Sequence, residues 1–103
     1  MIKVKFQVEE NRVYGFDISG HSGYAEEGSD IVCASVSSAA FMTANTITDV
    51  ICSDAEVICE ENRLYLKMKD KNEFAFKVLA GFKLHLDELS KQFPRNIRII
   101  TEV

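Results

Sequence analysis

Residues 20–38 read GHSGYAEEGSDIVCASVSS, and the segment changes character twice within that span. It begins at Gly20 and His21, at the end of an alternating, strand-like run. It continues through an acidic loop, Ser22–Ser29, that holds Gly23, Glu26, Glu27 and Gly28. Asp30 then opens a long helical run with Cys33 in its first turn. Three glycines between residues 20 and 28, with no apolar periodicity, predict a loop there. A histidine, a mobile loop and a thiol at a helix N-terminus are the parts from which a cysteine nucleophile site is made.

Upstream of this stretch, Ile2, Val4, Phe6 and Val8 alternate with Lys3, Lys5, Gln7 and Glu9. A period of two marks a half-buried strand. Glu10-Asn11 is turn-like, since Asn tolerates positive φ. Tyr14, Phe16 and Ile18 alternate again, which predicts a hairpin whose second strand delivers Gly20 and His21.

Downstream, Val32, Val36, Ala39, Ala40, Thr43, Ile47, Val50 and Ile51 form one stripe at helical spacing. No charged residue occurs between Asp30 and Asp49. A helix uncharged on every face is expected to be enclosed by protein, as a central element that also reaches a subunit interface. Val57 and Cys59, then Leu64, Leu66 and Met68, predict a second pair of strands. Glu60-Glu61-Asn62-Arg63 between them repeats the letters of Glu9-Glu10-Asn11-Arg12, which reads as reuse of one hairpin chemistry.

A second amphipathic helix follows, with Ala75, Val78, Leu79, Phe82, Leu86, Leu89 and Phe93 on one face. Gly81 inside it suggests a close packing contact, and Pro94 ends it. Phe76, Ala80 and Leu84 form a further apolar face, either core or subunit contact. Ile97, Ile99 and Thr101 alternate as a last strand. The order ββαββαβ predicts a two-layer α+β fold, a mostly antiparallel sheet with two helices on one face, as a single domain over residues 1–103.

The formal charge of −4 argues against a direct nucleic-acid binder, because phosphate contacts need clustered Lys and Arg. A negative surface suits a basic peptide or protein partner. Three cysteines, Cys33, Cys52 and Cys59, contain no CxxC pair, so neither a disulfide framework nor a zinc site is expected, and no metal or cofactor. Reduced thiols fit a cytoplasmic protein. No signal peptide is expected from MIKVKFQVEE, and no membrane span from Ile31–Thr48, the most apolar run, because of its Ser, Thr and Asn content.

At the third helical position, with Asp30 as N-cap, the Cys33 thiolate would be stabilised by the free N–H groups and dipole of the helix start. His21 is the candidate general base. His85, amid Lys83 and Asp87, reads as a solvated residue. Asp30 caps the helix or orients the histidine, and Ser37, four residues after Cys33, shares its helix face. Glu26 and Glu27 are solvated charges or an attraction for a basic substrate. Cys52 and Cys59 read as buried structural thiols.

Gly20-His21, Gly28, Asp30-Ile31-Val32-Cys33-Ala34 and the serines Ser35, Ser37 and Ser38 resemble the bacterial ribosomal-processing cysteine protease family called Prp. Eleven residues lie between the histidine and the cysteine in that motif. Ser22 and Ser35 stand where the family commonly has alanine. The resemblance implies a homodimeric endopeptidase. It implies removal of an N-terminal extension from large-subunit ribosomal protein twenty-seven, after a segment ending in adjacent phenylalanines. Cys33 matches the family nucleophile and His21 its base, and the loop between them would close over the peptide. Two other readings stay open: a non-catalytic ribosome-assembly module that clasps a ribosomal protein, and a redox-sensing thiol protein.

Overall fold

The computed structural model describes residues 1–20 and 31–103 in full, and the backbone of Ser29 and Asp30. The chain runs β1 (Ile2–Glu9), β2 (Arg12–Ser19), α1 (Ser29–Asn45), a π-helical turn (Thr46–Val50), β3 (Ala55–Glu60), β4 (Arg63–Met68), α2 (Glu73–Gln92) and β5 (Ile97–Glu102). The expected ββαββαβ order and two-layer α+β architecture are both present.

One sheet has the order β3-β4-β2-β1-β5. The β1–β2, β2–β4 and β3–β4 pairs are antiparallel, and β5 adds parallel to β1. Period-two alternation sends Ile2, Val4, Phe6, Phe16, Ile18, Leu64, Leu66 and Met68 into the core beneath the helices. Phe82 of α2 meets Phe6 and Phe16 edge-on, with centroids 5.7 and 4.9 Å away. Fully burying each such ring stabilises the fold by about 1.5–3 kcal/mol. Asn72 caps α2, its Oδ1 accepting from the amides of Phe74 and Ala75 at 2.9 and 3.2 Å. Phe76 belongs to the core, whereas Ala80 and Leu84 are exposed.

Several expectations are corrected. Both residues of the first hairpin turn are left-handed, Glu10 at φ 52° and Asn11 at φ 63°, whereas neither Glu61 nor Asn62 has positive φ. Identical letters and a two-residue loop therefore hold two different turns. A Cβ on Gly81 would meet no atom within 4 Å, so no close contact requires that glycine. Ile31–Val50 does reach membrane-spanning length and apolarity, because its Ala, Ile, Phe and Met outweigh its polar residues. Several of those hydroxyls bond back to the preceding turn: Ser35, Thr43 and Thr46 donate to the carbonyls of Ile31, Ala39 and Met42. Val32, Val36, Ala40, Ala44 and Ile47 of the same run are buried in the core. Val50 leaves the expected stripe and is exposed, because the π turn spreads one more residue over its circuit.

Candidate active site

Two elements frame the site. β2 ends at Ser19, and Gly20 turns the chain out of the sheet at φ +92°. A Cβ there would lie 2.4 Å from the Met1 carbonyl oxygen, so the close approach and the dihedral both require glycine. His21, Ser22, Gly23, Glu26, Glu27 and Gly28 lie outside the described residues.

The second element is α1, which starts at Ser29, two residues earlier than expected. Asp30 is therefore inside the first turn rather than flanking it, and Cys33 is the fifth helical residue rather than the third. Cys33 is half-buried and packs against the core. The first turn of α1, whose amides have no partner within the helix itself, precedes it directly.

Cys33, Ser37 and Phe41 are spaced i, i+4, i+8, which aligns them along one side of α1. A cleft of about 120 Å³ opens on that side at Ser37, one turn along the helix from Cys33, which does not itself line it. Ile18, Leu64 and Ala40 supply apolar lining, with Ser37 and Phe41 on the helix and Cys59, Glu60 and Glu61 on the hairpin. That volume is below the roughly 300–1,000 Å³ of pockets for whole small molecules and is of the size of a single side chain. Arg63 also lines it and is held by Asp17, donating from Nε and one terminal nitrogen at 3.0 Å each. Those bonds raise the guanidinium pKa above its ordinary value and fix the cation at the cleft's edge.

The remaining thiols are not buried. Cys52 is exposed at the end of the π turn, in the left-handed region at φ 59°. Its Sγ–H donates to the Asp49 carbonyl at 3.5 Å. Cys59 is exposed because β3 is an edge strand that the helices do not cover. His85 is exposed, as expected. Phe41, Glu60 and Glu61 were not singled out as site residues by the sequence, although Phe41 continues the line from Cys33 through Ser37.

A sheet, a helix-borne thiol and an adjoining side-chain cleft are the frame of a cysteine hydrolase, and comparison with known proteins gives the class: the protein is a cysteine protease. The family model described as cysteine protease Prp matches residues 1–98. The chain belongs to that family. Ribosomal processing cysteine protease Prp of Staphylococcus aureus is 27% identical over 103 residues, covering 96% of this chain and 97% of that protein. The Bacillus subtilis protein of the same name is 21% identical over 98 residues, 88% of either chain. The fold superposes on the crystal structure of the S. aureus protease in complex with a substrate peptide, with a TM-score of 0.91 at 24% identity, covering 99% of this chain and 100% of that one. A second S. aureus structure, with a covalently linked product peptide, gives 0.88 at 24% identity, with the same coverage.

Proposed function

We propose that this protein is a ribosomal-processing endopeptidase, with Cys33 as nucleophile and His21 as general acid and base, which removes the N-terminal extension of large-subunit ribosomal protein twenty-seven in the cytoplasm. The observation that carries the reading is the half-buried Cys33 near the start of α1, one turn before the Ser37-lined cleft, in a chain of the cysteine protease Prp family. The name of the relatives supports ribosomal processing, and the covalently linked product peptide of the S. aureus protein fits a nucleophilic mechanism.

In this mechanism the Cys33 thiolate attacks the scissile carbonyl carbon, and the carbonyl π electrons move onto oxygen. The first-turn amides of α1, which have no partner within the helix, are suited to receive that oxyanion. Collapse breaks the C–N bond as protonated His21 delivers its proton to the leaving amine. Water, deprotonated by His21, then attacks the thioester, and collapse expels the Cys33 thiolate beside the reprotonated His21 and frees the carboxylic acid product. An apolar side chain next to the scissile bond enters the cleft over Ile18 and Leu64, beside Phe41. Asp30 supports the helix start or the imidazole, and Ser37 supports the thiol side. Gly20, Ser22, Gly23, Glu26, Glu27 and Gly28 belong to the substrate loop.

Cleavage of a peptide spanning the processing site, followed by mass spectrometry, tests this. Wild type should cut once, after the adjacent phenylalanines. Cys33→Ala should lose at least about 10³-fold in rate, and His21→Ala about 10²–10⁴-fold. Cleavage by Cys33→Ala at the wild-type rate would overturn the mechanism, and tight binding without cleavage by wild type would favour a clasp.

A further inference from the structure

We propose that the free outer edge of β3 docks an extended segment of the substrate as an added strand, whose side chains alternate between apolar and basic. This rests on the peptide-processing reading above and adds the surface that selects the peptide.

Among the described residues, β3 is the outermost strand on its side of the sheet, and its outer row of backbone N–H and C=O groups has no strand partner among them. Its two faces differ. Val57 and Cys59 stand directly opposite Leu66 and Leu64, which places them on the helix-covered side of the sheet. Leu66 and Leu64 are buried, yet Val57 is 41% exposed and Cys59 is also exposed. The helix layer therefore stops one strand short and leaves an apolar shelf beside Phe41. The shelf runs toward the Ser37-lined cleft, since Cys59 and Phe41 both line that cleft.

On the other face, Glu56 and Glu60 are exposed. From Asp49 to Asn62 the chain carries five acids, Asp49, Asp54, Glu56, Glu60 and Glu61, and no Lys, Arg or His. Arg63 and Lys67, the ladder partners of Glu60 and Glu56, lie one strand further in, and Arg63 is held by Asp17. A strand added to this edge would alternate in the same way. One set of its side chains would lie on the shelf of Val57 and Cys59, and the other beside Glu56 and Glu60. Apolar and basic residues in alternation satisfy both faces. A second copy of this chain does not, because pairing two β3 edges would bring acids against acids.

Two peptides test this: a short one covering only the residues around the scissile bond, and a long one flanked by alternating Lys and Val. Against wild type, Glu56→Lys, which lies outside the cleft lining, should raise KM for the long peptide about fivefold with kcat unchanged, and leave the short peptide unaffected. Replacing the flanking Lys by Glu should restore KM for the variant, which a merely structural effect would not do. N-methylating alternate flanking amides should raise KM for wild type. Equal KM for wild type and variant on the long peptide overturns the proposal. So does indifference to N-methylation, or a change of oligomeric state in the variant with KM unmoved. If wild type cuts neither peptide, the processing reading fails, and fluorescence anisotropy of the same peptides on Cys33→Ala decides the docking separately: affinities that ignore the charge swap overturn it.

Discussion

At the residue scale, the glycines make opposite predictions from the same missing Cβ. Gly15 lies where β2 crosses closest to β4, and a Cβ would stand 2.2 Å from the Leu66 carbonyl oxygen and 3.0 Å from the Lys67 Cα. Both are backbone atoms, so the strands would have to separate. Gly15→Ala should destabilise the protein by about 3 kcal/mol. Gly81 meets nothing within 4 Å and sits in the interior of α2. There Ala costs nothing in space and restrains the unfolded chain, so Gly81→Ala should stabilise by about 1 kcal/mol. Urea denaturation of both variants checks the pair, with a shifted midpoint and an unchanged slope for Gly81→Ala. Sequence alone could not separate these glycines, since each interrupts an apolar pattern and only the neighbouring backbone distinguishes them.

At the scale of elements, alternation in β1, β2 and β4 and the helical stripe of α2 were legible, because each has one buried face and one wet face. The end of the first helix was not. Its π turn closes with Ile51 N–H donating to Thr46 at 2.8 Å and Ser53 N–H to Ile47 at 3.0 Å. Cys52 between them takes the left-handed dihedral usually given to glycine. A cysteine hides that signal in a sequence, and here it reads instead as a buried thiol. Cys52→Gly should remove the strain and raise stability by about 1 kcal/mol, measured as a higher thermal midpoint. Edge strand β3 misled for a related reason: its alternation is real, but the helix that should cover it ends short. Just past β4, Asp70 ties the strand to the helix exit, accepting from Ser53 Oγ at 2.6 Å and from the Asp54 amide at 2.9 Å. The Ser53 hydroxyl first, then the Asp54 amide, hold its pKa below the ordinary value of 3.8. The unfolded chain therefore binds the proton more readily, and this stabilisation is present above about pH 3.8 and lost as pH falls through the lower folded value. Asp70→Asn should be less stable than wild type at pH 7, with the gap narrowing below pH 3.8, as read from urea midpoints across the range.

At the scale of the whole molecule, the first helix, uncharged beyond Asp30, has two working sides. Cys33, Ser37 and Phe41 define one, which was legible only as far as Ser37 because nothing in the sequence shows that the β3–β4 hairpin lies beside it. Met42 is nine residues from Cys33, about two and a half turns, and so belongs to the opposite side. It is 73% exposed and lines a groove between α1 and α2 with Ala39, Thr46, Val78 and His85. Ile31, eleven residues before Met42, shares its side of α1, and Phe74 is spaced likewise from His85 on α2. Ile31 and Phe74 are also exposed, which extends an apolar face across both helices. A homodimer joined through this face would bury it and leave each Cys33 side open to peptide. Met42→Glu would then set a carboxylate into an apolar contact without disturbing the core, since the side chain makes little of it. Sedimentation equilibrium at micromolar concentration should show a dimer for wild type and a monomer for Met42→Glu. Because Cys33 faces away, the monomer should retain cleavage within about threefold per chain, a loss below about 1 kcal/mol in transition-state stabilisation. A variant that stays dimeric would move the interface elsewhere. A monomer that loses cleavage entirely would mean that the partner subunit completes the site across α1.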